Sequence, residues 1–378
     1  MRVLLVHNRY RIEGGEERSV ELQLGALRRA GVAHALLERR SSDLSRTQAA
    51  RALLRGGRDD DDVETATREL DADVVHVHNM LPLPGPHGLE AARSAGASVL
   101  LHLHNLRLFC AIGVAARDGG PCFRCHHRNT LPGLALNCRG SLPEAAVYAA
   151  GLARHQPAVF EAVDRFLVPS SYAAGQSALL GVPADRLEVL PHYLPVEAFA
   201  ERSRADQGSY ALVVSRLSPE KGIDVAIEAA ASTGIPLRVA GEGPTAAELS
   251  ALAERSGAPV EFIGRLERAS VARELAGAAM LMMPSRYHEF APYSALEAMA
   301  AGVPVIASSL GGLPELLGAR HCVAPGDSMA LAARMIALWE SPELRRAAGD
   351  ELIARARARH GEERYVGRLL ELYSRARQ

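Results

Sequence analysis

Of 43 basic residues only one is a lysine, Lys221, and it lies within Val214-Ser-Arg-Leu-Ser-Pro-Glu-Lys-Gly222. In a chain that otherwise uses arginine, a lone ammonium there points to phosphate binding, because a compact, strongly hydrated point charge meets a phosphate differently from a planar guanidinium fork. The alternative is one lysine left over from a drift toward arginine. A second constellation lies in Tyr287-His-Glu-Phe-Ala-Pro-Tyr-Ser-Ala-Leu-Glu-Ala-Met-Ala-Ala-Gly302, where Glu289 and Glu297 stand eight residues apart. Pro292 fits the first position of a helix, so Tyr293 and Ser294 would offer unpaired backbone N–H groups to an anion. A loop carboxylate and a helix carboxylate would then bracket one polar ligand; two unrelated surface glutamates are the alternative.

In the first half, Gly14-Gly15-Glu16-Glu17 follows an apolar run, and adjacent glycines let the backbone approach a ligand closely. A generic turn competes with that reading. The spacing is not Gly-x-Gly-x-x-Gly and gives nicotinamide binding no support. Leu100-Leu-His-Leu-His-Asn105 ends a strand with two histidines, His102 and His104, expected on opposite faces so that only one enters the site. The other would satisfy buried backbone groups. His76 and His78 in Val74-Val-His-Val-His-Asn79 repeat the pattern, with a structural role expected and His78-Asn79 at the edge of the site.

Cys110, Cys122, Cys125 and Cys138 crowd into one segment, with His126 and His127 beside the inner pair. A close Cys-x-x-Cys pair plus two outlying thiols could supply a tetrahedral soft-ligand set, for which structural zinc is the usual occupant. Redox disulfides or simple thiols are the other readings. Cys322 is expected in a strand, as a small core hydrophobe.

Short β-branched and leucine-rich runs alternate with Ala/Glu/Arg/Leu segments: Val3–His7, then 18–30; Val74–His78, then 87–95; Ser98–His102; Phe166–Pro169, then 172–180. Strand–helix alternation implies crossover units and a parallel sheet. After the polar stretch 200–209 the pattern restarts as Tyr210–Ser215, helix 222–232, Leu237–Ala240, helix 245–256, Val260–Ile263, helix 268–276, Met280–Pro284, helix 292–301 and Val305–Ala307. These five strands form a second doubly wound unit, whose ligands bind beyond the strand carboxyl ends. The hinge falls near 191–209, dividing the chain into 1–195, with a cysteine-bearing insertion at 110–141, and 196–361. Residues 362–378 form an amphipathic helix that could fold back onto the first domain or simply cap the second.

At 378 residues the chain exceeds the size of one core, and 48% apolar content with 33 glycines and 21 prolines fits an α/β enzyme. A net charge of −1, with no basic stripe interleaved with aromatics, argues against nucleic acid. The opening Met1–His7 run is too short for a signal peptide and no apolar stretch reaches the ~18 residues needed to span a bilayer, so a cytoplasmic location is expected. Between Arg28 and Arg58 eight arginines face two acids, Glu38 and Asp43, which could draw the chain to an anionic membrane at the inner face; solvated helix faces explain the same charges. The acidic run Asp59–Asp62 is expected as a solvated loop, and no Asp-x-Asp motif closes a strand.

Arg216 and Lys221, Gly241-Glu-Gly-Pro244, Phe262-Ile-Gly-Arg265 and the Glu289/Glu297 pair, in that order, resemble the donor half of glycosyltransferase family 4, retaining enzymes of the GT-B fold. The resemblance implies two Rossmann-like domains facing across a cleft, an acceptor-binding first domain and a nucleotide-sugar-binding second one. It assigns Arg216 and Lys221 to the donor diphosphate, the backbone at Ile263 to the base, Glu297 to the ribose and Glu289 to the transferred sugar, with Gly241, Tyr293 and Ser294 completing the donor site. Gly14, Gly15 and Glu16 would face the donor phosphate and the acceptor. A His-Asn step before Leu106-Arg-Leu-Phe-Cys110 selects His104 as the residue at the reacting sugar. The sequence departs from the family at Glu289-Phe-Ala-Pro292, where a glycine-containing turn is more usual and proline removes one N–H. The insertion resembles a cysteine-bearing branch associated with polysaccharide and natural-product assembly.

The implied activity is front-face, retaining transfer of a hexose from a UDP- or GDP-sugar to a hydroxyl of a glycan, lipid-linked or small-molecule acceptor. It needs no metal or other cofactor, since fixed cations and oriented N–H groups stabilise the departing diphosphate. The alternatives are an epimerase or hydrolase using the same donor grip, or a non-catalytic nucleotide-sugar binder.

Overall fold

The computed structural model describes residues 1–10, 14–57 and 60–377. It divides into two units: Met1–Ala115 with Cys122–His192 and Glu363–Gln378, and Ala116–Pro121 with Tyr193–Glu362.

The strands in chain order are β1 (Arg2–Arg9), β2 (Ala33–Arg40), β3 (Val74–Asn79), β4 (Ser98–His102), the short antiparallel pair β5 (Ala116–Arg117) and β6 (Gly120–Pro121), β7 (Arg165–Val168) and β8 (Leu187–Val189). They continue as β9 (Tyr210–Val214), β10 (Leu237–Ala240), β11 (Val260–Gly264), β12 (Ala278–Met283), β13 (Val305–Ser308) and β14 (Cys322–Val323). The first unit's sheet runs β2-β1-β3-β4-β7-β8 and the second's β11-β10-β9-β12-β13-β14, all parallel. Parallel strands are covered on both faces and therefore read as unbroken apolar runs. Val3 to Val6 and Ala278 to Met282 are buried accordingly. The second order is the 3-2-1-4-5-6 arrangement of dinucleotide-binding folds, and the first begins 2-1-3-4-5 as in the flavodoxin-like sheet.

Helix Ile223–Thr233 shows how sequence makes one crossover: it buries Ile223, Val225, Ala226, Ile227, Ala229 and Ala230 against the second core, and left-handed glycines, Gly222 and Gly234, bound it. The terminal helix Glu362–Ala376 buries Tyr365, Leu369, Leu372 and Tyr373, one stripe at helical spacing. Its anchor in the first unit is Gln23, whose amide donates to the Tyr373 hydroxyl at 2.7 Å and whose carbonyl accepts from Tyr365 at 3.0 Å.

Several expectations need correction. The second sheet has six strands rather than five; Cys322–Val323 is too short to show a period, yet it pairs with Ala307 and Ser308. Cys322 is only half-buried there, with its thiol pushed up to about 11 by burial. The strand Ala33–Arg40 and the helices Arg46–Arg55, Asp60–Leu70 and Leu142–Ala162 were not foreseen. Ala33–Arg40 is an edge strand whose charged residues break the apolar pattern. Of the supposed acidic loop, Asp59 lies outside the described residues, while the helix Asp60–Leu70 opens there and places Asp61 and Asp62 in its first turn, where carboxylates favour the positive end. Of the arginine-rich stretch, Arg58 lies outside the described residues. Arg39 pairs with Asp62, and Glu38 takes Arg40 at 3.2 Å and Arg9 at 2.9 Å. No helix among the described residues is long and apolar enough to cross a membrane.

Candidate active site

In the second unit the strand order reverses between β9 and β12, and such a switch point opens a crevice beyond the strand ends. The two segments leaving these strands are 215–222 and 284–292, the two that sequence chemistry singles out. Lys221 closes a short turn, Pro219–Lys221, and its ammonium donates to Glu289 Oε1 at 2.7 Å and to the Tyr287 hydroxyl at 3.0 Å. Glu289 also accepts from Ser285 Oγ at 3.0 Å and from Tyr287 at 2.5 Å, and is only 5% exposed. Burial opposes the charge on Lys221, but Glu289 and Tyr287 outweigh it and raise its pKa; burial and the Glu289 carboxylate raise that of Tyr287. The result is a fixed cation–carboxylate–phenol knot.

Backbone bonds hold the knot from several sides. Arg286 makes a bidentate pair with Asp224 at 2.7 and 2.6 Å, and its N–H reaches the Glu220 carbonyl at 2.8 Å. The Gly312 N–H donates to the Glu289 carbonyl at 2.7 Å. Gly311, at φ +63°, packs so tightly that an added Cβ would stand 2.4 Å from that same carbonyl oxygen. The segments after β10 and β11 join the same stitching. Leu217 donates to Glu242 at 2.9 Å and Gly241 to Gly264 at 2.7 Å, and a Cβ on Gly241 (φ +145°) would fall 1.8 Å from the Ser215 carbonyl oxygen. Ile263 thus lies in β11 beside the same corner.

Arg216 pairs with Glu220 and stays half-exposed. Pro292 is the N-cap, with extended ψ 134°, not the first helical residue, so Tyr293 and Ser294 hold the first two helical positions of Tyr293–Ala301. Proline fixes φ but not ψ, and an extended ψ keeps it outside the helix. Glu297 is half-buried on this helix. Sequence reasoning missed Ser285, Tyr287, Asp224 and Gly311; the Ser285-Arg-Tyr287 run beside Glu289 was the available signal for two of them.

In the first unit the sheet order reverses at β1 and β3. Gly14 precedes the helix Gly15–Arg29, and the Glu17 carboxylate accepts from the N–H groups of Gly14 at 2.7 Å and Tyr10 at 3.2 Å. Burial opposes ionisation of Glu17, but His7 and these N–H groups hold its pKa below the usual range. Glu16 is buried and differs: loss of water pushes its carboxyl up to about 8, against a nearby Arg107 and with help from Glu17. The Asn105 amide stands 3.3 Å from the Tyr10 hydroxyl and 3.4 Å from Glu16, and the Arg107 guanidinium lies 4.0 Å over the Tyr10 ring. Tyr10, Asn105 and Arg107 therefore join Gly14, Gly15 and Glu16, a grouping that no spacing in the sequence announces.

The expectation that His102 and His104 face opposite ways is overturned. Residues two apart in extended chain share a face, and their rings stack at 4.2 Å, with His102 also 5.6 Å from His76 and 5.2 Å from His78. His104 Nε2 lies 2.9 Å from His78 Nδ1. Burial, reinforced by neighbouring imidazoles, keeps His78, His102 and His104 well below the ordinary histidine pKa, and burial alone takes His76 to about 3. The column is neutral at physiological pH.

The five cysteines are half-buried thiols. Burial, then nearby Cys110, Cys138 and Cys122, pushes Cys125 up to about 11. Among the described residues, the groups of three whose ligand atoms all lie within 4.8 Å of one another are His76, His78, His102 and His102, His104, His192; the cysteines are in neither.

Two doubly wound units of this kind constitute the GT-B fold. Sucrose-phosphate synthase from Thermosynechococcus elongatus superimposes with a TM-score of 0.74, at 18% identity over 99% of this chain and 98% of that one. A structure of Anabaena HepE in complex with UDP and glucose gives 0.70, again at 18% identity, over 99% of this chain and 100% of that one. Residues 197–354, nearly the whole of the second unit, match the family model described as glycosyl transferases group 1. A D-inositol 3-phosphate glycosyltransferase of Mycobacterium sp. (strain KMS) is 28% identical over 60% of this chain and 54% of its own length. The chain spans from 19% to 55% of the length of the curated relatives it matches.

Proposed function

We propose that the chain is a retaining glycosyltransferase that moves a hexose from a nucleotide-diphosphate sugar to an acceptor hydroxyl. The observation that carries this reading is the Lys221–Glu289–Tyr287 knot at the switch point of the second unit, inside the segment that matches glycosyl transferases group 1. Arg216 and Lys221 take the diphosphate, Glu297 the ribose, and the backbone at Gly241 and Ile263 the base side. The N–H groups of Tyr293 and Ser294, at a helix start, add partial positive charge where negative charge grows. Glu289 and His104 are assigned to the transferred sugar, and the Gly14-Gly15-Glu16 segment to the acceptor side. UDP or GDP is the nucleotide; HepE, of the same fold, has been solved with UDP and glucose.

In the step itself the bond between the anomeric carbon and the donor phosphate oxygen breaks, and a bond from that carbon to the acceptor oxygen forms on the same face. The acceptor proton passes to the departing phosphate oxygen, giving the glycoside and the nucleoside diphosphate. Lys221 and Arg216 lower the barrier because their charges are fixed before the leaving group develops its own. No cofactor takes part in this step. The acceptor is a glycan, lipid-linked or small-molecule hydroxyl compound of polysaccharide or natural-product assembly, met in the cytoplasm.

A thermal-shift screen of UDP-, GDP-, ADP- and TDP-sugars identifies the donor, since binding the native state raises its apparent stability. Incubation of that donor with hydroxyl acceptors, followed by NMR of the product anomer, is expected to show retained configuration. Full-rate donor consumption without any acceptor would instead make the protein a hydrolase or epimerase, and an inverted product would remove the front-face step.

A further inference from the structure

Four buried ring nitrogens on neighbouring strands of the first unit lack any hydrogen-bond partner: Nε2 of His76, Nε2 of His78, and both nitrogens of His102. The three residues are 0%, 3% and 1% exposed. Each such orphan costs about 1–3 kcal/mol, and a native core carries few of them. Here they are concentrated at one point, because β3 and β4 are adjacent in register and place His76, His78 and His102 on a common face.

We propose that His76, His78 and His102 form a buried binding site for a divalent transition-metal ion of the zinc class, distinct from the donor-binding residues of the second unit and, on the proposed function, one contact removed from His104. Three neutral imidazoles without a carboxylate select zinc, cobalt, nickel or copper over magnesium or calcium. Their ligand atoms already lie within 4.8 Å of one another. A tetrahedral ion with Zn–N about 2.0–2.1 Å holds its nitrogens about 3.4 Å apart, so the three stacked rings must turn about their side-chain torsions to aim their lone pairs at one point. His102 belongs also to the triad with His104 and His192, but there His104 Nε2 is already engaged with His78 Nδ1.

The outer hydrogen bonds then follow from tautomer. With Nε2 of His76 on the metal its proton sits on Nδ1, 2.8 Å from the Tyr373 hydroxyl and 2.7 Å from the Gln23 amide; Gln23 must then present its oxygen to the ring, which exchanges the donor and acceptor roles its amide plays toward Tyr373 and Tyr365. With Nε2 of His78 on the metal, Nδ1–H must donate to His104 Nε2, 2.9 Å away. His104 is thereby left with its own proton on Nδ1. The ion acts as a positioning device, setting which nitrogen His104 presents as a donor.

The test uses the purified full chain, stripped with chelator and titrated with Co2+. The expected result is one equivalent bound, with visible d–d absorption of a low-coordinate nitrogen site and no ultraviolet sulfur-to-cobalt charge-transfer band. Zinc should displace the cobalt and raise Tm. His102→Ala should abolish the spectrum while Cys122→Ala with Cys125→Ala leaves it intact. Should His102→Ala not fold, His78→Ala serves as the second variant, and the wild-type titration decides by itself. Absence of cobalt absorption in the wild type, or a charge-transfer band that vanishes with the cysteine variant, overturns the proposal.

Discussion

Replacing Lys221 by alanine separates stability from ligand binding. In the native chain its ammonium meets Glu289 at 2.7 Å and Tyr287 at 3.0 Å, with side-chain exposures of 18% for the lysine and 6% for the glutamate. Removing one partner of a fully buried ion pair costs about 3–5 kcal/mol because the other charge is left uncompensated. Glu289 would keep the Ser285 and Tyr287 hydroxyls, and Lys221 is not wholly dry, so about 2 kcal/mol is the expected loss. Donor affinity falls as well, by the ~1.5–3 kcal/mol of a hydrogen bond to a charged group, or about 10- to 100-fold. Adding Glu289→Gln to Lys221→Ala removes the stranded charge and should restore most of the stability, while the affinity stays low. Urea unfolding followed by circular dichroism gives the first quantity and calorimetric titration with UDP the second. If Lys221→Ala changes unfolding by less than about 0.5 kcal/mol and UDP affinity by less than twofold, the knot neither stabilises the loops nor holds phosphate.

Glu16 carries its proton to about pH 8 in the folded chain but only to about 4.5 when unfolded. Between those values the native state binds more protons, so stability falls as pH rises through this window and levels off above it. Glu16→Gln should flatten that part of a pH series of urea midpoints. Gly311→Ala forces a Cβ to 2.4 Å from the Glu289 carbonyl oxygen at a left-handed φ, and should lower Tm and abolish donor binding, whereas Gly234→Ala, with nothing within 4 Å, should cost only about 1 kcal/mol of backbone strain. Tyr373→Phe deletes the hydroxyl that meets Gln23 and His76 and should cost about 1–3 kcal/mol in urea.

Much of the second unit was legible because its elements carry local signals: short apolar strands, and helices such as Ile223–Thr233 and Tyr293–Ala301 bounded by glycine or proline, with Lys221 and Glu289 soon after strand ends. What escaped the sequence is long-range. Tyr287 and Ser285 matter through Glu289 and Lys221, the latter more than sixty positions away, and Asp224 matters only through Arg286. The first unit was harder to read for two reasons. Charged edge strand Ala33–Arg40 shows no apolar period, and helix Leu142–Ala162 has Pro157 inside it. The histidine column was visible as four letters two apart on two strands, yet only the β3–β4 register, together with the shared face of alternate residues, shows that the rings stack.

The docking of helix Glu362–Ala376 onto Gln23 fixes an order of events during synthesis. A ribosome delivers the chain from Met1 onward, so the first unit's opening strands emerge long before the tyrosines that complete their packing. Residues 193–362 must pass through the exit tunnel in between and can fold as they emerge. The unit that starts first therefore finishes last.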